Sequence, residues 1–150
     1  MRKYTYLITL LALAAVFTFS NCGGDETPEK TEAEKRLEEL AGAWNISTAT
    51  LDGADVSSDY ANMILTLTTS KGFSVSGGDF TPIWPSSGTF SFKQDGSGND
   101  DINTIVRNDD VEITISSVSQ SNLNLAFSFA VSPPCRAKGI CGGYVFTFTK

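Results

Sequence analysis

The amino-acid sequence predicts an all-β domain, an eight-stranded antiparallel up-and-down barrel that follows one short amphipathic helix. Three observations predict this fold. Apolar and polar residues alternate with period two through most of the chain after Gly42, the connections between the alternating segments are short, and a single segment has helical periodicity. Alternation gives a strand one buried and one solvated face, which is typical of antiparallel sheet. An antiparallel β-sandwich is the alternative.

Residues 1–21 have the order of a secretory signal peptide. Basic residues precede an apolar run from Tyr6 to Phe19, which is too short to span a membrane comfortably, and Cys22 follows. The segment resembles a bacterial lipoprotein signal, in which Phe19-Ser20-Asn21-Cys22 stands at the lipobox. The resemblance implies that the signal is cleaved before Cys22 and that this cysteine carries acyl chains such as palmitate.

Residues 22–30 are predicted to form the acylated cysteine and a flexible tether. Asp25-Glu26 resembles the signal that exports such lipoproteins to the outer face of the outer membrane, and a plain solvated linker is the alternative. We therefore expect a protein anchored in the bacterial outer membrane through the lipid on Cys22. It is expected to face the cell surface, with the periplasmic face as the alternative. Each buried methylene contributes about 0.8 kcal/mol to such an anchor.

One amphipathic helix is predicted from Thr31 to Ala41. Its apolar residues follow the spacing i, i+4, i+7, i+8, and its charged residues mostly occupy the other face. Thr31 and Glu34 have the spacing of a capping box, and Gly42 follows the end of the helix. A short helix with one apolar stripe is expected to lie against the end or side of the structure that follows.

Eight strands are predicted from the alternation in the rest of the domain, which spans residues 31–150. They are Trp44–Ser47, Met63–Thr69, Phe73–Ser76, Thr89–Lys93, Ile102–Arg107, Val111–Ser117, Asn122–Val131 and Tyr144–Thr149. Connections such as Ser70–Gly72 and Asn108–Asp110 are of hairpin length, which favours a meander over a Greek key. Eight strands in a meander can close into a barrel that leaves no edge exposed.

Several segments resemble lipocalin-like lipoproteins of Bacteroidota. Leu40–Trp44 is similar to the Gly-x-Trp entry to the first strand of lipocalins, and Trp84–Phe92, Ile105–Asp110 and Gly143–Phe148 resemble recurring blocks of the lipoproteins. The similarity covers residues 37–150. It implies a calyx that is closed at one end by the helix and Trp44, open at the other end, and able to take an apolar molecule.

The inward side of such a barrel would be rich in aromatic residues. The candidate ligand-binding residues, in the interior or at the mouth, are Trp84, Phe90, Phe92, Phe127, Phe129, Tyr144 and Phe146. An eight-stranded barrel is just wide enough to be filled by side chains or to hold one small ligand, and both alternatives stay open. The chain is thus expected either to bind a small apolar or amphipathic molecule, or to be a non-catalytic surface scaffold that serves glycan uptake or adhesion.

The charge of the chain argues against some partners. Without residues 1–21 the chain has nine basic and seventeen acidic residues, a net charge of −8. Because there is no basic stripe, neither nucleic acid nor an anionic lipid surface is an expected partner.

The cysteine and histidine content limits the chemistry. Cys135 and Cys141 have the spacing of a loop closed by a disulfide, worth about 2 kcal/mol, and two free thiols are the alternative. The chain contains no histidine, which removes histidine-based catalysis and histidine metal ligands. We predict a protein that is not an enzyme and that has no metal site or cofactor.

Four further features have two interpretations each. Trp84 has either a functional role, as a stacking platform for a sugar or a lid over the open end of the barrel, or a structural one, packed over the barrel rim. Arg107 either binds a ligand carboxylate or pairs with Asp109 or Asp110. The segment Asp52–Asp59 either arches over the open end, with Leu51, Val56 and Tyr60 at an entrance, or is a surface loop. Asp95–Asp101 has the oxygen spacing of a calcium loop, but it lacks the required glycine and glutamate, which favours an acidic hairpin.

Overall fold

The computed structural model describes residues 29–130 and 139–150. In these ranges the chain forms one α-helix, α1 (Glu32–Leu40), one 3₁₀ helix (Ser57–Tyr60) and nine strands. The strands are β1 (Gly42–Leu51), β2 (Ala54–Asp55), β3 (Ile64–Leu67), β4 (Gly72–Ser76), β5 (Ser87–Gln94), β6 (Asp100–Arg107), β7 (Glu112–Val118), β8 (Asn122–Phe129) and β9 (Gly142–Thr149). No helix in the described ranges has the length and hydropathy needed to cross a membrane.

Eight of the strands form a closed barrel. From β3 to β9 each strand pairs antiparallel with the next one along the chain, and β1 pairs with both β3 and β9. This up-and-down order confirms the predicted barrel and excludes the sandwich. The two-residue strand β2 is an addition, which pairs only with the end of β1.

The helix α1 forms where it was predicted. Thr31 is its N-cap, and the Glu34 side chain accepts a hydrogen bond from the Thr31 amide in a complete capping box. Leu37 and Leu40 are the buried residues of the helix and belong to the hydrophobic core of the barrel. The helix therefore covers the end of the barrel at which β1 begins.

Strand β1 is longer than predicted. Residues 42–45 pair with β3, and residues 45–51 pair with β9, so this one strand closes the barrel. A β-bulge interrupts the pairing with β9 between Ile46 and Thr48. It places Trp44 inward before the irregularity and Ala49 inward after it. A bulge shifts the alternation of inward and outward residues by one position. The period-two pattern in the sequence therefore stops at Ser47, and the predicted strand ends there.

The other seven predicted strands lie within two residues of the observed ones at each described end. The predicted strand that corresponds to β8 ends at Val131, which lies outside the described residues. The last two barrel strands have the expected alternation, since Leu123, Leu125 and Phe127 of β8 are buried and the outward residues between them are less so. All inward residues join one core with those of α1.

Candidate functional site

The helix end of the barrel is closed around Trp44. The side chain of Trp44 is fully buried, and its indole Nε1 donates a hydrogen bond of 2.8 Å to the Leu40 carbonyl at the end of α1. Lys150 places its ammonium 4.1 Å from the centre of the Trp44 ring and donates to the Ala41 carbonyl at 3.0 Å. These contacts tie the first and last strands to the helix. Trp44 and α1 thus lie together at this end of the barrel.

The other end of the barrel, which we call the mouth, is covered by the connection between β4 and β5. We call residues 77–86 the mouth segment. It begins at Gly77, whose φ is +95° and where a Cβ would stand 1.9 Å from the Asn62 carbonyl oxygen, so only glycine fits there. Phe80, Ile83 and Trp84 then turn into the barrel and are buried.

Trp84 fills the space inside the mouth. Its ring centre lies 5.5 Å from that of Phe127, 5.8 Å from Phe146 and 6.4 Å from Phe73, and all three contacts are edge-to-face. The side chain is 2% exposed, so in this structure it packs inside the rim and offers no exposed face to a sugar. The buried Trp84 Nε1 has no hydrogen-bond partner among the described residues.

Arg107 lies beneath Trp84. This arginine is 2% exposed, and its guanidinium donates to both Asp109 carboxylate oxygens at 2.9 and 2.5 Å and to the Ile83 carbonyl at 2.8 Å. The hydrogen bonds from Arg107, together with its charge, hold the pKa of Asp109 below the ordinary value, although burial opposes them. Of the two interpretations of Arg107, the structure shows the ion pair, formed with Asp109.

The seven aromatic residues predicted to bind ligand are all buried. Four of them, Trp84, Phe127, Tyr144 and Phe146, form one cluster of rings at the mouth, with neighbouring ring centres 5.5 to 5.8 Å apart. Phe90, Phe92 and Phe129 are part of the same hydrophobic core. The rings therefore occupy the interior of this half of the barrel themselves.

The space that is left lies between the mouth segment and the start of the connection from β1. This mouth cleft has a volume of about 260 Å³. Its lining is mostly aliphatic and aromatic, with two carboxylates. The lining residues are Leu51, Val56, Asp59, Tyr60, Asp79, Phe80, Thr81, Pro82, Ile83, Gly139, Ile140 and Tyr144.

The segment Asp52–Asp59 forms one wall of the mouth cleft. It is more ordered than the arching loop expected from the sequence, because it contains the hairpin strand β2 and leads into the 3₁₀ helix. The Asp52 carboxylate accepts a hydrogen bond of 2.8 Å from the Gly143 amide and fixes the hairpin to β9. The residues proposed to line an entrance, Leu51, Val56 and Tyr60, do line the cleft.

Two tyrosines, Tyr60 and Tyr144, line the mouth cleft. The Tyr144 hydroxyl donates to the Ile140 carbonyl at 2.9 Å, and the Tyr144 ring meets the Tyr60 ring edge-to-face with the ring centres 6.4 Å apart. Burial, the neighbouring Tyr144 and the Asp59 carboxylate raise the pKa of Tyr60 far above the ordinary value. Burial also raises the pKa of Tyr144. Both phenols are therefore neutral at physiological pH and can donate or accept hydrogen bonds.

The sequence interpretation missed several residues of the cleft, chiefly Phe80, Pro82 and Ile140. A signal was present for the first of these. Phe80, Ile83 and Trp84 have the spacing i, i+3, i+4, and the Trp84 amide donates to the Phe80 carbonyl at 3.0 Å, as in one turn of helix. An apolar triplet with that spacing inside a connection predicts a turn that packs on the core.

A second depression lies on the outer face of the barrel. This outer groove, about 940 Å³, runs along the outward residues of β7, β8 and β9 and has Asp52, Asp109, Asp110 and Glu112 at its rim. Val145 in the groove is 44% exposed, an unusual exposure for a large apolar residue of this domain. Three of the four carboxylates have protein partners: Gly143, Arg107 and Lys93.

In the acidic connection between β5 and β6, a side-chain carboxylate accepts hydrogen bonds from backbone amides of the same connection. The Asp95 carboxylate accepts hydrogen bonds of 2.8 Å from the amides of Ser97 and Asn99, and these bonds lower the pKa of Asp95. The arrangement is that of a hairpin closed by an aspartate side chain. Among the described residues, no three cysteine or acidic side chains are grouped so that they could hold a metal ion.

Some predicted sites lie beyond the described part of the chain. Residues 1–28, with the signal and Cys22, are outside it, as is Cys135. Cys141 is described, and it is partly buried and packs against the core. The lipidation and the disulfide stay predictions.

Comparison of the chain with protein-family models, with curated proteins and with solved structures gives no match. The resemblance to lipocalin-like lipoproteins therefore stays an interpretation of the motifs.

Proposed function

We propose that the protein is a lipid-anchored envelope lipoprotein that binds a small apolar or amphipathic molecule at the mouth of its barrel. The observation that carries this proposal is the mouth cleft, a depression whose lining is mostly aliphatic and aromatic and includes Tyr60 and Tyr144. Binding sites commonly combine such a lining with a few convergent polar groups. Its volume is below the range of about 300–1,000 Å³ found for drug-sized ligands, so the ligand is small.

Trp84 and Arg107 hold in place the mouth segment, which forms one wall of the cleft. Because Arg107 holds the Ile83 carbonyl and stacks on Trp84, the mouth segment is fixed to β6 behind the cleft. A wall that is ordered before binding lowers the entropy cost of binding. This supports a site that is largely formed in the free protein.

The anchor is proposed from the sequence. Cys22 follows the signal segment, and the capping box of α1 begins at Thr31, so the folded domain starts only after the tether. We propose that the lipid on Cys22 holds the domain at the outer membrane, at the cell surface. The outer-face position depends on Asp25-Glu26. We further propose that Cys135 and Cys141 form a disulfide, and that the protein catalyses no reaction and binds no nucleic acid.

Two experiments test these proposals. Native mass spectrometry of protein extracted gently from its membranes should show a retained small molecule, and the Tyr60→Phe/Ile83→Asp variant should lose it. If the wild-type protein retains nothing and binds no apolar probe, the binding proposal is wrong. The Cys22→Ser variant should leave the membrane fraction while the domain stays folded, and a variant that remains in membranes would contradict the anchor.

The alternative is a non-catalytic scaffold at the surface that interacts with a glycan or a protein. Two observations favour it. Aromatic rings fill the barrel interior at the mouth, and the outer groove has a larger volume than the mouth cleft. Under this alternative, a charge change such as Asp110→Lys in the groove would abolish partner binding, and changes in the mouth cleft would not affect it.

A further inference from the structure

The mouth cleft is acidic as well as apolar. Asp59 of the 3₁₀ helix and Asp79 of the mouth segment belong to its lining, and none of the described lining residues is basic. The Asp52 carboxylate adds negative charge nearby, since both Asp52 and Asp59 raise the pKa of Tyr144. The charges of the described lining therefore repel a ligand that carries a negative charge.

Among residues 29–130 and 139–150, the cation closest to the cleft is Arg107, and it is not available to a ligand. The Arg107 guanidinium is buried against the ring of Trp84. Two of its nitrogens already donate hydrogen bonds to the Asp109 carboxylate. A ligand carboxylate would have to displace Asp109 and pass the ring of Trp84. Among the described residues, the charges that act on a ligand in the cleft are therefore those of Asp59 and Asp79, with Asp52 nearby.

The aromatic wall of the cleft suits a cation. Tyr60 and Phe80 are stacked with ring centres 5.7 Å apart, and both line the cleft. Each of these rings covers one face of the other, so an ammonium group can contact only an outer face of the pair, where the attraction is about 0.5–1 kcal/mol at an exposed site. The neutral Tyr144 hydroxyl adds an acceptor for an N–H donor.

We propose that the mouth cleft selects an organic ammonium ion. The ammonium group lies between the carboxylates of Asp59 and Asp79, and the apolar body lies against Val56, Phe80 and Ile83. The inference rests on the proposed ligand-binding function, and it adds the charge of the ligand to it.

Three probes with the same apolar body test the inference: 4-phenylbutylamine, which is an ammonium ion at pH 7, 4-phenylbutanol and 4-phenylbutyrate. Their affinities for the full chain in phosphatidylcholine nanodiscs are measured by calorimetry at low salt, with the heats of empty nanodiscs subtracted. We expect the amine to bind about tenfold more tightly than the alcohol, from two exposed charge contacts and one ring contact. The acid should bind more weakly than the alcohol. Added salt should reduce the advantage of the amine.

Matched variants locate the effect. In Asp59→Asn/Asp79→Asn, the amine should bind no better than the alcohol, whose affinity should be unchanged. Asparagine keeps the oxygen that accepts hydrogen bonds from Thr81, so the mouth segment keeps its turn. The control Asp100→Asn/Asp110→Asn removes the same charge away from the cleft and should keep the preference for the amine.

The outcomes separate the two proposals. Equal affinities for amine and alcohol, or tighter binding of the acid, would overturn the ammonium inference and leave the binding function in place. Failure of all three probes to bind would overturn both. Loss of the preference in the control as well as in the cleft variant would also overturn the inference, because the effect would then come from overall charge.

Discussion

The guanidinium carbon of Arg107 lies 5.0 Å from the centre of the Trp84 ring. The same guanidinium is bonded to the carbonyl of Ile83, which precedes Trp84, and to the carboxylate of Asp109. One arginine therefore joins the mouth segment to the turn between β6 and β7. The stability of the mouth depends on this buried charge having its counter-ion.

Replacing Asp109 by asparagine should destabilise the protein by about 2 kcal/mol, because a buried guanidinium loses its counter-charge. The cost is below that of a fully buried pair, since the Asp109 side chain is 36% exposed. Urea unfolding measures the change. Asp110→Asn is the control, because its residue has a positive φ that asparagine tolerates, and it should change stability by less than about 0.5 kcal/mol. Equal losses in both variants would show that the ion pair contributes little.

The stability of the protein should depend on pH through Asp109. The pKa of this carboxyl is lowered from 3.8 in the folded protein, so the unfolded chain binds the proton more readily. The contribution is therefore fully present above the unfolded pKa and is lost as the pH falls through the folded pKa. Between pH 7 and about pH 5 the difference in unfolding free energy between wild type and Asp109→Asn should be constant. Below pH 3.8 it should shrink progressively, and a difference that does not shrink as the pH falls below 3.8 would contradict the ion pair.

The barrel was predictable because burial follows the period of the strand. In β8 and β9 every second residue is apolar over eight residues, and the structure buries those residues. The prediction failed where the backbone departs from that period. The bulge after Ile46 hides the second half of β1, and the pair of residues in β2 is too short to show any alternation.

The candidate site was predictable only in part. The sequence indicated which aromatic residues are inside, since they share the phase of their strands. It could not show that Trp84 enters the ring cluster from a connection, or which of two aspartates Arg107 selects. The second depends on the turn between β6 and β7, in which Asp110 has a positive φ. The first depends on the path of the mouth segment, which Gly77 permits through its close approach to Asn62. Contacts between residues distant in sequence have no local pattern.

Reduction of the predicted disulfide should lower stability without unfolding the barrel. Closing the loop from Cys135 to Cys141 is worth about 2 kcal/mol, because the loop is short and its closure removes little entropy from the unfolded chain. Cys135→Ser/Cys141→Ser should lose that amount in urea unfolding. Thiol titration of the denatured wild-type protein should find neither cysteine reactive before reduction. Two reactive thiols would show that the pair is free.

The two tryptophans offer a matched test of a buried N–H group. Each ring is at most 2% exposed, and each has a cation over it, Lys150 over Trp44 and Arg107 over Trp84. They differ at Nε1, which donates to the Leu40 carbonyl in Trp44 and has no partner among the described residues in Trp84.

Replacement of each tryptophan by phenylalanine should therefore have unequal costs. Trp44→Phe removes a satisfied donor and leaves the Leu40 carbonyl without it, whereas Trp84→Phe removes a donor whose burial is unfavourable. We expect Trp44→Phe to cost about 1–2 kcal/mol more than Trp84→Phe in urea unfolding. Trp44→Ala sets the upper end of the scale, at about 3–5 kcal/mol. Equal costs for the two phenylalanine variants would mean that the Trp84 N–H group is bonded in solution, and the mouth would then hold an acceptor for it.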